Sequence, residues 1–145
     1  MIIERNYQMI TMDEIERQII NEFQQLSTID EKYFHLFELG DSLPIMEASL
    51  KNDTNLVQSC QSMLWFHISS RDGFLYLEAD SDSMVIKGIS ALVARLVEGH
   101  KPEEVSRVNF DFLDKIGLWK MASQSNPGLN AMLEHLHQHA SAAIE

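Results

Sequence analysis

Apolar residues recur at helical spacing early in the chain. Ile15, Ile19 and Phe23 stand four apart behind Thr11 and Glu14, which have the spacing of a capping box, so a first helix ending near Leu26 is predicted. Asp30 is placed to cap a second helix, in which Tyr33, Phe34, Phe37 and Leu39 form a broad apolar surface and Gly40 supplies a C-terminal stop. Periodicity then fades over residues 41–55, where Pro44, Asn52, Asp53 and Asn55 mark a long connection. The pattern changes at Met63–Ser69, a run of bulky apolar residues. Arg71-Asp-Gly73 is a turn signal and Phe74–Glu78 has the content of a returning strand, which together predict an antiparallel hairpin. Asp80-Ser-Asp82 can cap a third helix whose Val85, Ile89, Leu92, Val93 and Leu96 give a wide buried face ending at Gly99. Pro102 suits the start of a short helix through Val105, because the first turn has no use for the amide hydrogen that proline lacks. Phe110–Ile116 forms a further short helix closed by Gly117. After the breaker cluster Ser125-Asn-Pro-Gly128, Leu129, Met132, Leu133 and Leu136 describe a final amphipathic helix.

Strands are thus segregated from helices, not alternated with them, which makes the fold α+β: a small antiparallel sheet of about three strands packed against helices. A hairpin alone is marginal, and the natural source of its third strand is the segment Asn55–Ser59 or the end of the preceding loop. The 145 residues and a hydrophobic fraction of 45% suffice for one core, so residues 1–145 are expected to form a single domain with 1–10 as a flexible N-terminal extension. There is no internal repeat or low-complexity tract.

Charge narrows the function. With 11 Lys and Arg against 22 Asp and Glu, the formal charge of −11 opposes nucleic-acid binding, which depends on basic side chains displacing counterions. An acidic surface can steer a basic protein partner, and it equally serves solubility. The start of the chain, Met1–Asn6, mixes charge with apolar groups and lacks the apolar stretch of a signal peptide, while one cysteine gives no disulfide framework. A cytoplasmic location is expected. The longest apolar-rich segment, Val85–Val97, is interrupted by Lys87 and Arg95 and falls short of the roughly 20 apolar residues of a membrane span.

Cys60 is the only cysteine, in Val57-Gln-Ser-Cys-Gln-Ser-Met-Leu-Trp65. A free cysteine is by default a small buried hydrophobe. Ser59, Gln61 and Ser62 are poor companions for a core position, however, and offer hydroxyl, amide and backbone donors to a thiolate or persulfide. If Cys60 does chemistry, it acts as a single nucleophile or carrier whose partner is another molecule. Lys51 and His67 are candidates to activate it if folding brings them close. Trp65 reads as a core residue, and the scattered Met46, Met63, Met84, Met121 and Met132 as gap-fillers in the core. His135 and His139, four apart with His137 between them, have the spacing of a metal pair, but no third ligand motif accompanies them and a solvated helix face is the simpler reading; no metal site is expected. Glu103-Glu104 reads as a solvated helix start.

The segment around Cys60 resembles the active-cysteine loop of the SufE family, sulfur-acceptor proteins of iron–sulfur cluster assembly, whose usual form is Gly-Cys-Gln-Ser, two residues and Trp. Glu31-Lys-Tyr33 with Glu38-Leu-Gly40 and Leu43-Pro44 is similar to that family's second helix and following turn. Asp80-Ser-Asp82 with Val85-Ile-Lys-Gly88 is similar to its Ser-Asp helix cap, and Pro102-Glu-Glu and Gly128-Leu129 with Ala131-Met132 fit its C-terminal part. The likeness runs in order over roughly residues 13–140. Two positions depart from it: the glycine usual before the cysteine is Ser59, and the arginine of the family's Arg-x-x-Gly-Leu segment is Ser125.

The resemblance implies a SufE/IscU-like fold and makes Cys60 the acceptor of persulfide sulfur from a SufS-type cysteine desulfurase. That enzyme would be stimulated, and the sulfur passed to a scaffold such as SufBCD. Ser59, Gln61 and Ser62 would support the persulfide loop, and Asp82 would influence docking to the partner, a role compatible with an ordinary helix cap. The chain would need no cofactor, pyridoxal phosphate belonging to the desulfurase, and would act as a monomer or weak homodimer. Two other readings stay open: a non-catalytic regulator that binds a desulfurase or another partner without carrying sulfur, and a cysteine hydrolase, for which no histidine dyad is recognisable in the sequence.

Overall fold

The computed structural model describes residues 10–57, 62–118 and 126–144, without the side chains of 126–128. The elements are α1 (Met12–Gln24), α2 (Ile29–Asp41), a 3₁₀ turn (Ala48–Leu50), β1 (Leu64–Arg71), β2 (Phe74–Ser81), α3 (Met84–Val97), α4 (Pro102–Val105), α5 (Asp111–Lys115) and α6 (Asn126–Ile144). This is the expected α+β arrangement. β1 and β2 pair antiparallel from Leu64↔Ser81 to Arg71↔Phe74, closed by a two-residue turn in which Asp72 and Gly73 have φ of 54° and 85°. That left-handed pair is the turn whose twist matches a hairpin, and an acidic residue followed by glycine is suited to it. Among the described residues the sheet has two full strands. Backbone pairing extends it on both sides: Leu56 bridges to Trp65, and His100 bridges to Leu75. The expected third strand is thus a short stem that begins at Asn55.

α3 is the central element. It is buried over nearly its whole circumference, from Ile86 through Val97, because the β1–β2 sheet covers one side while α2 and α1 cover others. Leu64, Phe66, Leu75, Leu77 and Ala79 meet Ile86, Ile89, Leu92 and Leu96 in a core that Ile19 and Phe23 of α1 and Leu129, Met132 and Leu136 of α6 complete.

Several local expectations are corrected. The cap of α2 is Thr28, whose hydroxyl accepts the Glu31 N–H at 3.1 Å, so Asp30 lies in the first turn. Gly40 does not end α2. It lies within the helix, which stops at Ser42, and lacks a side chain where α2 crosses α3: a Cβ on Gly40 would come within 3.0 Å of the Gly88 nitrogen, and one on Gly88 within 2.5 Å of the Leu36 carbonyl oxygen. The buried face of α2 is therefore Leu36 and Gly40, and Phe34 is 68% exposed. The cap of α3 is Ser83, one residue beyond the expected Asp80–Asp82, and Val85 is only half-buried where Ile86 is fully enclosed. Pro127 and Gly128 lie inside the first turn of α6, which begins at Asn126. Trp65 faces away from the core, half-buried, because Leu64 and Phe66 take the inward positions of β1. Met46 and Met132 are buried as expected of gap-fillers, whereas Met63 and Met84 are exposed and Met121 lies outside the described residues. Of residues 1–10 only Ile10 is described; its carbonyl accepts from His100 Nε2 at 2.9 Å. Among the described residues no helix is long and apolar enough to cross a membrane.

Candidate functional site

Cys60, Ser59 and Gln61 lie outside the described residues, as does Ser125. What is defined is the stem from which their segment departs and to which it returns. The Val57 N–H donates to the Leu64 carbonyl at 2.8 Å and the Phe66 N–H to the Asn55 carbonyl at 2.8 Å, so the described residues on either side of the cysteine segment are paired with one another. Val57 and Leu64 are both buried, which ties the stem to the core on one side.

Asn55 holds the incoming arm. It is 5% exposed, and its side-chain amide donates to the Leu50 carbonyl at 2.8 Å while its Oδ1 accepts from His67 Nδ1 at 3.4 Å. Its own N–H donates to Asn52 Oδ1 at 3.1 Å. A buried amide satisfied on both sides fixes the backbone around it.

The returning arm is held by the segment that leads into α3. The Met63 N–H donates to Asp82 Oδ1 at 3.0 Å, the Asp82 N–H donates back to the Met63 carbonyl at 3.3 Å, and the Ser81 hydroxyl reaches the same carbonyl at 2.6 Å. Ser81 Oγ also accepts the Ser83 N–H at 3.1 Å. Asp82 therefore braces the end of the cysteine segment while leaving the capping of α3 to Ser83, which accepts the Ile86 N–H at 3.3 Å. Ser62, beside Met63, is half-buried.

Neither residue expected to activate a thiol stands free. Lys51 Nζ lies 2.5 Å from Asp80 Oδ2 and 5.4 Å from the centre of the Trp65 ring. Lys87 Nζ lies 3.6 Å from Asp80 Oδ1. Burial alone would push the Asp80 carboxyl up, but the Lys51 hydrogen bond, the Ser81 N–H and the charges of Lys51 and Lys87 outweigh it and hold the group below the usual aspartate range. His67 is engaged with Asn55.

The histidines of α6 do not form the solvated face expected of them. All three are half-buried. His135 packs edge-on against Phe66 at 6.4 Å and its ring lies 4.6 Å from that of His139, while His137 Nε2 donates to the Val108 carbonyl at 2.6 Å. Burial pushes both His135 and His139 below the ordinary imidazole range; the His139 charge adds to it at His135, against a backbone hydrogen bond with Phe66, and the His67 charge adds to it at His139. His135 also lines an open groove of about 360 Å³ between α6 and the stem, with Asp53, Thr54, Leu56, Val57 and Glu134. Among the described residues, no group of three His, Cys, Asp or Glu is placed to hold a metal ion.

Asp82 stood out in the sequence as a site residue, whereas Asn55 read there as part of a connection or third strand, Asp80 as part of a helix cap, and Lys51 as a possible activator of the thiol, not as a partner of Asp80. One signal was present: Asn52 and Asn55 stand three apart, the spacing of a side-chain-bonded turn. The Lys51–Asp80 contact spans segments whose alignment only the strand register fixes.

Comparison with known proteins agrees with this architecture. Residues 17–140 match the model of the SufE family, described as an Fe-S metabolism associated domain. An uncharacterized SufE-like protein of Rhizobium meliloti (strain 1021) is 31% identical over 133 residues, covering 88% of this chain and 95% of the relative. The solution structure of a hypothetical protein from Thermus thermophilus superposes with a TM-score of 0.75 at 22% identity, over 90% of this chain and 96% of that one, and so shares the fold.

Proposed function

The chain belongs to the SufE family, and from that premise we propose that it is a sulfur acceptor in Fe–S metabolism, with Cys60 as the accepting residue. The observation that carries the reading is the stem. The segment holding the chain's one cysteine is strung between two fixed points, Val57 and Leu64, closed by backbone hydrogen bonds and braced by Asp82 and Asn55. This suits a carrier, which must offer one thiol to one partner after another without rearranging its core.

The donor is a SufS-type cysteine desulfurase carrying a persulfide on its own cysteine. The Cys60 thiolate attacks the outer sulfur. A bond forms between the Cys60 sulfur and that atom, the donor's S–S bond breaks, and the electron pair leaves with the desulfurase sulfur as a thiolate. The product is Cys60–S–SH, with no net oxidation or reduction. Clearing the donor cysteine frees the desulfurase for another turnover, which is how the chain stimulates it, and the carried sulfur passes to a SufBCD-type assembly scaffold by the same displacement. Ser59, Gln61 and Ser62 supply donors around the sulfur, and Asp82 faces the partner. Pyridoxal phosphate works on the desulfurase. A single cysteine does not furnish the usual thiolate set of a cluster, so iron is handled downstream. The setting is a reducing cytosol, with the chain acting as a monomer or weak homodimer.

Intact-mass analysis without reductant, after incubation with a SufS-type desulfurase and L-cysteine, tests the reading. The expected result is one added sulfur on the native chain and none on Cys60→Ser. Complex formation without any added sulfur would replace the carrier by a regulator that binds the desulfurase without accepting its product.

A further inference from the structure

We infer that Lys51 and Asp80 form a clasp that fixes the stem of the cysteine segment, and that they are thereby positioning residues for sulfur acceptance; this second half rests on the function proposed above. The stem needs such a device. Its two arms are joined by the Val57–Leu64 and Phe66–Asn55 backbone bonds, and short strand pairings of this kind are marginal by themselves.

Lys51 crosses all three lines of backbone. It follows the 3₁₀ turn on the incoming arm, passes 5.4 Å over the ring of Trp65 on the returning arm, and ends 2.5 Å from Asp80 Oδ2 on β2. The register puts Trp65 between the incoming arm and Asp80, pairing it with Leu56 on one side and with Asp80 on the other, and Lys51 spans that width. The lysine therefore lies across the outer face of the stem, on the side opposite the core residues Leu64 and Phe66. Trp65, an odd choice for an outward position, supplies the aromatic face on which the alkyl chain and ammonium rest.

Asp80 is built as a fixed anchor. Its Oδ1 accepts the Ser81 N–H at 2.8 Å and lies 3.6 Å from Lys87 Nζ at the start of α3, so the carboxylate is oriented from two sides before Lys51 meets it. Exposed ion pairs of this kind add little to global stability, and the effect of the clasp is accordingly local, on the stem.

The test combines residue-resolved hydrogen exchange with transfer kinetics on the full chain, comparing Lys51→Met, Asp80→Asn and Lys51→Arg. Met keeps the packing over Trp65 without the charge, and Arg keeps both. In Lys51→Met and Asp80→Asn, the Val57 and Phe66 amides should exchange several-fold faster while those of α3 are unchanged. Sulfur acceptance from a desulfurase should slow several-fold in kcat, with KM little affected and Lys51→Arg restoring the native rate. Unchanged protection at Val57 and Phe66 would overturn the clasp. Faster exchange with a native transfer rate would overturn the positioning role. If the native chain itself accepts no sulfur, the proposed function fails and the positioning role falls with it, while the clasp is still decided by the exchange data.

Discussion

At the scale of single residues, Asn55 shows how a polar side chain inside a protein acts as a spacer of defined length. Its amide spans from the Leu50 carbonyl to His67, and Asn55→Ala strands both groups. The expected cost is about 1–3 kcal/mol, read as a lower urea midpoint at unchanged slope. Asp82 separates geometry from charge. Asp82→Ala should speed exchange of the Met63 amide, whose acceptor is lost, whereas Asp82→Asn keeps an oxygen in place and should leave that exchange near native. A third case is Glu22, which hydrogen-bonds His35 and pairs with Arg95 at 3.0 Å. Burial alone would raise its carboxyl; the His35 hydrogen bond and the Arg95 charge outweigh it and hold the group below the ordinary glutamate range. A depressed carboxyl stabilises the fold above its unfolded value of 4.5 and loses that contribution as pH falls through the lower folded value. Glu22→Gln should therefore be less stable than the native chain at pH 7, with the gap closing in acid, as measured by denaturation across pH. Cys60 was conspicuous in the sequence because it is alone, and Asp82 through its motif. The Lys51–Asp80 contact was not, since nothing in a linear string aligns two residues that only the pairing of β1 with β2 and with the stem brings together.

At the scale of elements, the crossing of α2 and α3 decides how deeply the core closes. A methyl group on Gly88 would meet the Leu36 side chain and carbonyl oxygen at 2.5 Å, so Gly88→Ala forces the helices apart and should cost about 1–3 kcal/mol in chemical denaturation, against a milder loss for Gly40→Ala, whose nearest contact is 3.0 Å. The sequence reading placed most elements well where local chemistry decides: Thr11 caps α1, Gly73 makes the hairpin turn, Pro102 opens α4 and Gly117 closes the region of α5 with φ of 82°. It failed where a second element decides. Gly40 looked like a helix stop because glycine usually marks one, yet its use here is contact with a neighbouring helix. Phe34 was assigned to the buried face on hydrophobicity alone, and the rotation of α2 that the glycine contact imposes turns it outward. Ser83 displaced the expected cap because Ser81 and Asp82 are committed to Met63.

At the scale of the whole molecule, α6 is the element most exposed to a change of conditions. Its His135 and His139 lie against each other and near β1, with His67 acting on His139 from the strand, Glu78 opposite His67 in the register, and the exposed Asp53 and Glu134 in the adjoining groove. Both α6 imidazoles sit below their unfolded value of 6.5, so the unfolded chain binds protons first and the stabilisation present above that pH is lost as pH falls through the folded values. Hydrogen exchange of α6 should accelerate between neutral and mildly acidic pH relative to α3, and His135→Gln with His139→Gln should flatten that dependence. The fold class and the order of elements were readable because hydrophobic period and turn chemistry suffice for them; the packing of α6 was not, since a histidine serves equally well in water and beside Phe66. The same hairpin has a bearing on how these molecules treat one another. Among the described residues its two outer edges are covered at opposite ends, by Leu56 beside Trp65 and by His100 beside Leu75, which shortens the edge open to a strand from a second molecule on either side. Adding a strand along the start of β1 would have to displace the stem, and along the start of β2 the His100 bridge. On the β1 side, protection from edge pairing therefore rests on the same backbone bonds that hold the stem.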